Sequence, residues 1–185
     1  MKTTKVLETH ITETNINEVS KILNFSSNNR IAICNANTLV RSVKDLHIRN
    51  AVNNFTIKTP DGFPVAKALS FITKKKFSRV DGYKVFLQSI SDGLDINRKH
   101  YFFGNNENTT QQMIEKLKEV FPNINISGYI CPEQMTAEEL AIKHKKDFQS
   151  IDADIVWVSL GFPKQELFID KVCEEIETNT NFVGI

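Results

Sequence analysis

The chain has 185 residues, 41% of them hydrophobic, and a formal net charge of +1, the profile of an ordinary globular protein with room for one sizeable domain or two small ones. Near-neutral charge supplies no bulk attraction to nucleic acid, and no apolar run approaches the ~20 residues of a membrane helix. Cys34, Cys131 and Cys173 are odd in number and far apart. They fit neither a disulfide framework nor a zinc site, which predicts reduced thiols in a cytoplasmic protein. The opening residues Met1-Lys2-Thr3-Thr4-Lys5 lack the apolar centre of a signal peptide.

Strand-like and helix-like segments alternate along the chain. Asn15 with Glu18 resembles a capping box, followed by Val19, Ile22 and Leu23 at helical spacing. Ile31 to Cys34 is a short apolar strand, and Val40, Val43 and Leu46 suggest a helix. Phe55-Thr56-Ile57 reads as a strand. Pro64 suits a first helical position, ahead of an apolar stripe of Val65, Ala68, Leu69 and Ile72. Gly82 to Leu94 is helical, with Val85, Phe86 and Ile90 facing inward. His100 to Gly104 is a strand and turn. Thr109 with Gln112 predicts a capping box for a helix that stops before Pro122. Ile124 to Ile126 alternates like a strand. Thr136 with Glu139 is a further capping box, stapled by Met135 and Leu140, for a helix reaching about Phe148. Ile155-Val156-Trp157-Val158 is a buried strand with Trp157 as core. A one-glycine turn and a helix follow, and Asn181 to Ile185 is a last strand.

Such alternation with short connections predicts a mostly parallel sheet covered by helices. Its ligand site belongs beyond the carboxyl ends of the strands. Asn35, Asp61, Gly104 and Gln165 each fall just after a predicted strand, and this coincidence argues that they converge. No linker, repeat or low-complexity stretch divides the chain, so residues 1–185 read as one domain. A last strand with no helix after it predicts an open apolar face. The expectation is that a C-terminal region is absent or that the protein is a shortened relative.

The junction Gly161-Phe162-Pro163-Lys164-Gln165-Glu166 sets unpaired helix N–H groups beside Lys164 and Gln165, which suits an anionic or sugar ligand. Thr59-Pro60-Asp61-Gly62-Phe63-Pro64 sets a carboxylate at a similar turn, where Asp61 is either a base or the cap of the following helix. Gly104-Asn105-Asn106 reads as a nucleotide-side loop or a plain polar turn. Gln165 either orients a sugar hydroxyl, aligns Asp61 or caps its own helix. Gly128 follows another predicted strand, which would set it at the border of a nucleotide. Helix N-termini after Gly104 and Gly161, with Arg79 or Lys164, supply positive field, although Arg79 also reads as a surface charge. The chain has no Gly-x-x-x-x-Gly-Lys-Ser/Thr and no Gly-x-Gly-x-x-Gly, which disfavours P-loop and dinucleotide enzymes. Asp152-Ala153-Asp154 precedes its strand and reads as a solvated turn, so no metal is expected. The basic runs Lys74 to Lys76 and Lys143 to Lys146 either touch anionic lipid or complement helix ends. The four histidines lack metal-ligand spacing, and Cys34 has no nearby basic partner that would make it a nucleophile.

Together Asn35-Ala36-Asn37-Thr38, Thr59 to Pro64, Arg79-Val80-Asp81-Gly82, Tyr101-Phe102-Phe103-Gly104 and Gly161 to Glu166 occur in the order found in the WecG/TagA/CpsF glycosyltransferases. The resemblance covers nearly the whole chain from about Val6. It implies an α/β, Rossmann-like fold and an inverting, metal-independent transfer of N-acetylmannosamine or a related hexose from a UDP-sugar. The acceptor implied is polyprenyl-diphosphate-linked N-acetylglucosamine, in the making of teichoic acid, common antigen or capsule. Asp61 is implied as catalytic base, with Asn35, Arg79 and Gln165 on the substrates. No cofactor is implied beyond the UDP-sugar itself. The implied location is the cytoplasmic face of the cell membrane, as a peripheral protein, with a homo-oligomer among the implied partners. Two departures stand out. Ile33 occupies a place that some members give to threonine, and the chain stops where members continue into a basic appendage that is thought to help close the site and hold the membrane. The alternative is a non-catalytic domain of the same fold that binds a nucleotide sugar or a partner. A sugar-nucleotide epimerase is a third reading, without a nicotinamide fingerprint to support it.

Overall fold

A computed structural model describes all residues from Met1 to Ile185. Six strands form one parallel sheet: β3 (Arg30–Cys34), β4 (Ile57–Pro60), β5 (Lys99–Gly104), β6 (Asn125–Ile130), β7 (Ile155–Ser159) and β8 (Asn181–Gly184), in the spatial order β4-β3-β8-β7-β5-β6. The helices are α1 (Ile16–Phe25), α2 (Ala36–Lys44), α3 (Leu46–Asn54), α4 (Gly62–Thr73), α5 (Gly82–Gly93), α6 (Glu107–Val120), α7 (Ala137–Gln149) and α8 (Lys164–Glu175). This is the helix-covered parallel sheet that the alternation predicts and the α/β, Rossmann-like fold that the resemblance implies. None of these helices is long and apolar enough to cross a membrane.

The period-2 pattern of the strands divides the core in two. Val156, Val158, Phe103 and Phe182 face α2, α3, α4, α7 and α8, whereas Ile155, Trp157, Phe102 and Val183 face α1, α5 and α6. On the first side Phe103 stacks on Phe168 at 4.6 Å, and Phe148 meets Phe182 edge-on at 5.5 Å. On the second, Trp157 lies edge-on to Phe86 at 4.9 Å and donates its indole N–H to His100 Nδ1 at 3.2 Å.

The last strand is the main correction to the sequence reading. β8 lies in the middle of the sheet between β3 and β7, and all four of its residues are buried, with Phe182 under α7 and α8 and Val183 under α1 and α5. The predicted open face is therefore not seen, because helices from earlier in the chain cover it. A hairpin of β1 (Thr3–Val6) and β2 (Thr9–Thr12) was not predicted. It shields the β4 edge, where Lys58 N–H donates to Thr12 Oγ1 at 3.0 Å.

Several boundaries moved for local reasons. Val40, Val43 and Leu46 are 45%, 42% and 63% exposed, and Leu39 and Thr38 form the buried face instead. The helical segment there is broken by Asp45, which ends α2 and caps α3 by accepting from His47 N–H at 2.9 Å and Ile48 N–H at 3.2 Å. Phe55 closes α3, so strand β4 starts only at Ile57. Pro64 is the third residue of α4, and Ile72, placed in the apolar stripe, is 49% exposed. Asn106, not Thr109, caps α6. Asn15 caps α1 through Glu18 N–H, but the Glu18 carboxylate takes the Thr14 hydroxyl rather than closing a box. The box at Thr136 and Glu139 forms in full.

Candidate active site

Backbone hydrogen bonds gather the carboxyl ends of four strands. Asp61 N–H donates to Cys34 O at 3.0 Å, joining the ends of β3 and β4. Val80 N–H donates to Pro60 O at 2.9 Å, bringing the start of α5 to the same place. Ile185 N–H donates to Val158 O at 3.0 Å, aligning β8 with β7. Above this junction is a pocket of about 390 Å³ whose walls include Asn35, Thr38, Asp61, Asp81, Gln165 and Glu166, with Ile33, Tyr83 and Phe162 as apolar parts. Such a volume accommodates a sugar.

Asn35, Asp61 and Asp81 each cap a helix that starts at the pocket. Asn35 Oδ1 accepts from Asn37 and Thr38 N–H at 3.0 and 3.2 Å, Asp81 Oδ1 from Lys84 N–H at 3.2 Å, and Asp61 Oδ1 from Gly62 N–H at 2.7 Å. The first turns of α2, α4, α5 and α8 thus surround one space, and their dipoles add positive potential there. Asp61 caps α4, as one of its two sequence readings has it, and it also lines the pocket, where the other would place a base. Its Oδ2 has no hydrogen-bond partner in the chain. Burial pushes the Asp61 carboxyl above its ordinary pKa, the Gly62 hydrogen bond and Arg79 pull the other way, and Asp81 reinforces the rise. That is the direction a general base needs.

Gln165 is held from both sides. Its Oε1 accepts from Gly161 N–H at 3.1 Å, and its Nε2 donates to Glu166 Oε1 at 3.1 Å. Glu166 is 1% exposed, and its Oε2 has no partner. Burial raises its pKa from an ordinary 4.5 to about 7. No lysine or arginine lines the pocket. The cations stand behind it: Arg79 pairs with Asp81, and the Arg41 guanidinium lies 5.6 Å from the Phe162 ring centre.

The other sequence-selected residues lie outside this lining. Gly104 is buried against the Ser159 backbone, and Asn105 N–H donates to Ser159 O at 3.2 Å. Gly104 ends β5 and Asn105 follows it, and β5 is on the far side of β7 from Asp61, so sheet order separates both from the pocket. Gly128 lies inside β6, not after it, because that strand runs on to Ile130. A side chain there would meet the Tyr101 ring at 2.7 Å, which gives the glycine a packing role. Lys164 is also outside the lining, and its charge acts on Glu139 of α7. Cys34 is fully buried, and burial raises its thiol pKa strongly, consistent with no nucleophilic role.

Sequence reading passed over Asp81, Glu166, Tyr83 and Phe162. One signal was available: Asp81-Gly82 repeats the Asp61-Gly62 pair at a helix start. Nothing in a linear pattern marks Glu166, because neighbouring residues of a helix normally face different ways. Ile33 packs on Gly82 and forms pocket wall where a threonine would offer a hydroxyl. The Asp152-Ala153-Asp154 segment is at the opposite end of the sheet, beside a larger cavity of about 570 Å³. There Arg98 pairs with Asp154 at 3.0 Å and Lys99 with Asp152 at 2.7 Å, as suits a structural turn.

Comparison with known proteins agrees with the motifs. An N-acetylglucosaminyldiphosphoundecaprenol N-acetyl-beta-D-mannosaminyltransferase of Bacillus spizizenii is 35% identical over 113 residues, covering 60% of this chain and 42% of that protein. A protein of the same name from Bacillus subtilis is 24% identical over 143 residues, 75% of this chain and 53% of its own. The matched stretches thus make up about half the length of these relatives. The model of the glycosyl transferase WecG/TagA/CpsF family matches residues 4–185, and with its motifs gathered at the strand ends the chain belongs to that family.

Proposed function

We propose that the chain is the donor-side core of a glycosyltransferase. It would move N-acetylmannosamine or a related hexose from a UDP-sugar to a polyprenyl-diphosphate-linked N-acetylglucosamine at the cytoplasmic face of the membrane, in the synthesis of a cell-surface polymer. The observation that carries this reading is the meeting of Asn35, Asp61 and Gln165 in one pocket, with Asp61 half-buried and its Oδ2 free. The relatives' names support the sugar and the acceptor class.

In this mechanism Asp61 Oδ2 accepts the proton of the acceptor hydroxyl while the hydroxyl oxygen attacks the anomeric carbon. The bond to the UDP oxygen breaks on the opposite face, so configuration inverts. The leaving diphosphate takes its stabilisation from the helix N-termini, with Arg41 and Arg79 as nearby cations, and no metal ion is invoked. A neutral Glu166 keeps a further negative charge away from that diphosphate. Gln165, fixed between Gly161 and Glu166, has one amide hydrogen left to meet a sugar oxygen. The nucleotide extends along the end of β7 toward Gly104 and Asn105.

The test is turnover of UDP-N-acetylmannosamine with a short-chain lipid-linked N-acetylglucosamine. Acceptor-dependent release of UDP, lost in Asp61→Asn with UDP affinity retained, is the expected result. Binding without release would favour a non-catalytic nucleotide-sugar domain, and near-normal turnover by Asp61→Asn would reject the base.

A further inference from the structure

The outer face of α4 carries a pattern that the pocket does not use. Val65, Ala66 and Leu69 bury its inner face, while Phe63, Lys67 and Phe71 follow each other at four-residue spacing on the opposite side. Phe63 is 70% exposed and Phe71 74%. Two phenylalanines aimed at water from one helix face form a patch that calls for a partner. Lysines are interleaved with them: Lys67 Nζ lies 5.4 Å from the Phe63 ring centre, and Lys74 Nζ 4.4 Å from that of Phe71. Lys75 pairs with Glu13 at 3.0 Å, whereas Lys67, Lys74 and Lys76 have no carboxylate partner. Beside the helix is a cavity of about 440 Å³ bordered by Phe63, Lys67, Phe77 and Arg79.

We propose that this face of α4 docks on an anionic phospholipid surface. Phe63 and Phe71 enter the boundary between headgroups and acyl chains, and Lys67 and Lys74 extend along the rings to the phosphates, the arrangement long basic side chains adopt at interfaces. The basic charge selects this occupant. A second copy of the chain packed on the same face about a two-fold axis would set lysines against lysines, whereas an anionic leaflet attracts each of them. Asp61 caps the first turn of this helix, two residues before Phe63, so docking holds the mouth of the candidate pocket at headgroup depth. That consequence rests on the proposed lipid-linked acceptor; the docking itself does not.

Sedimentation of the full chain with vesicles tests the proposal, using phosphatidylcholine alone and phosphatidylcholine with about a third phosphatidylglycerol. Binding is expected to the second only, and to weaken as salt rises. Phe63→Ser with Phe71→Ser, and separately Lys67→Gln with Lys74→Asn, should each weaken it about tenfold or more. Asparagine suits the left-handed backbone of Lys74 at φ 59°. Melting temperature and UDP affinity should stay unchanged in both variants, which separates failure of docking from failure of the pocket reading. Absence of vesicle binding by the wild type, or variants that bind as well as it does, would overturn the proposal. So would a dimer that Phe63→Ser with Phe71→Ser dissociates while vesicles stay unbound, since that assigns the face to a second copy.

Discussion

Replacing Glu166 with glutamine is expected to stabilise the protein at alkaline pH and to leave it unchanged in acid. The carboxyl is 1% exposed, its only side-chain donor is the Gln165 amide at 3.1 Å, and no cation pairs with it. Burial therefore favours the neutral form and raises its pKa from 4.5 to about 7. Below the unfolded value both states are protonated and the group has no effect. Between 4.5 and about 7 the unfolded chain ionises while the folded one keeps its proton, so stability falls as pH rises. At 1.36 kcal/mol per pH unit the accumulated loss is about 3 kcal/mol above neutrality. Glutamine keeps the carbonyl that accepts from Gln165 and cannot ionise. At about 2–4 °C per kcal/mol for a chain of this size, Glu166→Gln should melt about 6–12 °C above the wild type at pH 8. The assay is thermal melting of the pair from pH 4.5 to 8.5, in steps of about half a unit. An offset that is the same at every pH, or a variant that melts below the wild type at pH 8, would refute the reasoning.

Other expectations follow from the same geometry. Gly104→Ala should cost several times more stability than Gly161→Ala: both glycines have positive φ, but a Cβ at Gly104 falls 2.2 Å from Ser159 O, while at Gly161 it meets nothing within 4 Å. The second change should cost about 1–2 kcal/mol for the left-handed backbone alone, and denaturant unfolding of the two variants checks the ratio. His100 is buried, accepts from Trp157 and has its pKa lowered to about 4 by desolvation, so its ring should stay neutral until well below pH 5 in an NMR titration; a midpoint near 6.5 would contradict this. The stability that a neutral His100 confers is present above the unfolded value and is lost as pH falls toward about 4. Asp61→Asn should melt no lower than the wild type at pH 8, since burial already disfavours the charge, and a clear drop would assign Asp61 a structural role above its place in the pocket.

Helix caps were legible because capping is local. Asn15, Asp61 and Thr136 each sit one residue before a helix start and accept from a backbone N–H within the next three residues, so a short window of sequence contains the whole interaction. Strands β3, β5 and β7 were legible for a similar reason: both faces are covered, and each is built on an apolar run, Ile31 to Cys34, Tyr101 to Phe103 and Ile155 to Val158. The hairpin escaped notice because its strands are four residues each and rich in threonine. The break at Asp45 escaped because the apolar residues on either side keep helical spacing across it.

Chain order alone established alternating strands and helices and turns with polar side chains at the strand ends, since each depends on residues a few positions apart. Which turns share a pocket was decided by the order of strands in the sheet. Gln165 and Glu166 reach the pocket of Asp61 by lying over the end of β8, the one strand between β3 and β7, and the position of β5 and β6 beyond β7 keeps Gly104, Asn105 and Gly128 out. The burial that lifts Glu166 toward neutral pKa is a tertiary effect: its carboxyl lies against Gly184 of β8 and close enough to Cys34 of β3 to act on that thiol. Pairing between distant strands is a property of the packed whole, and no local pattern encodes it.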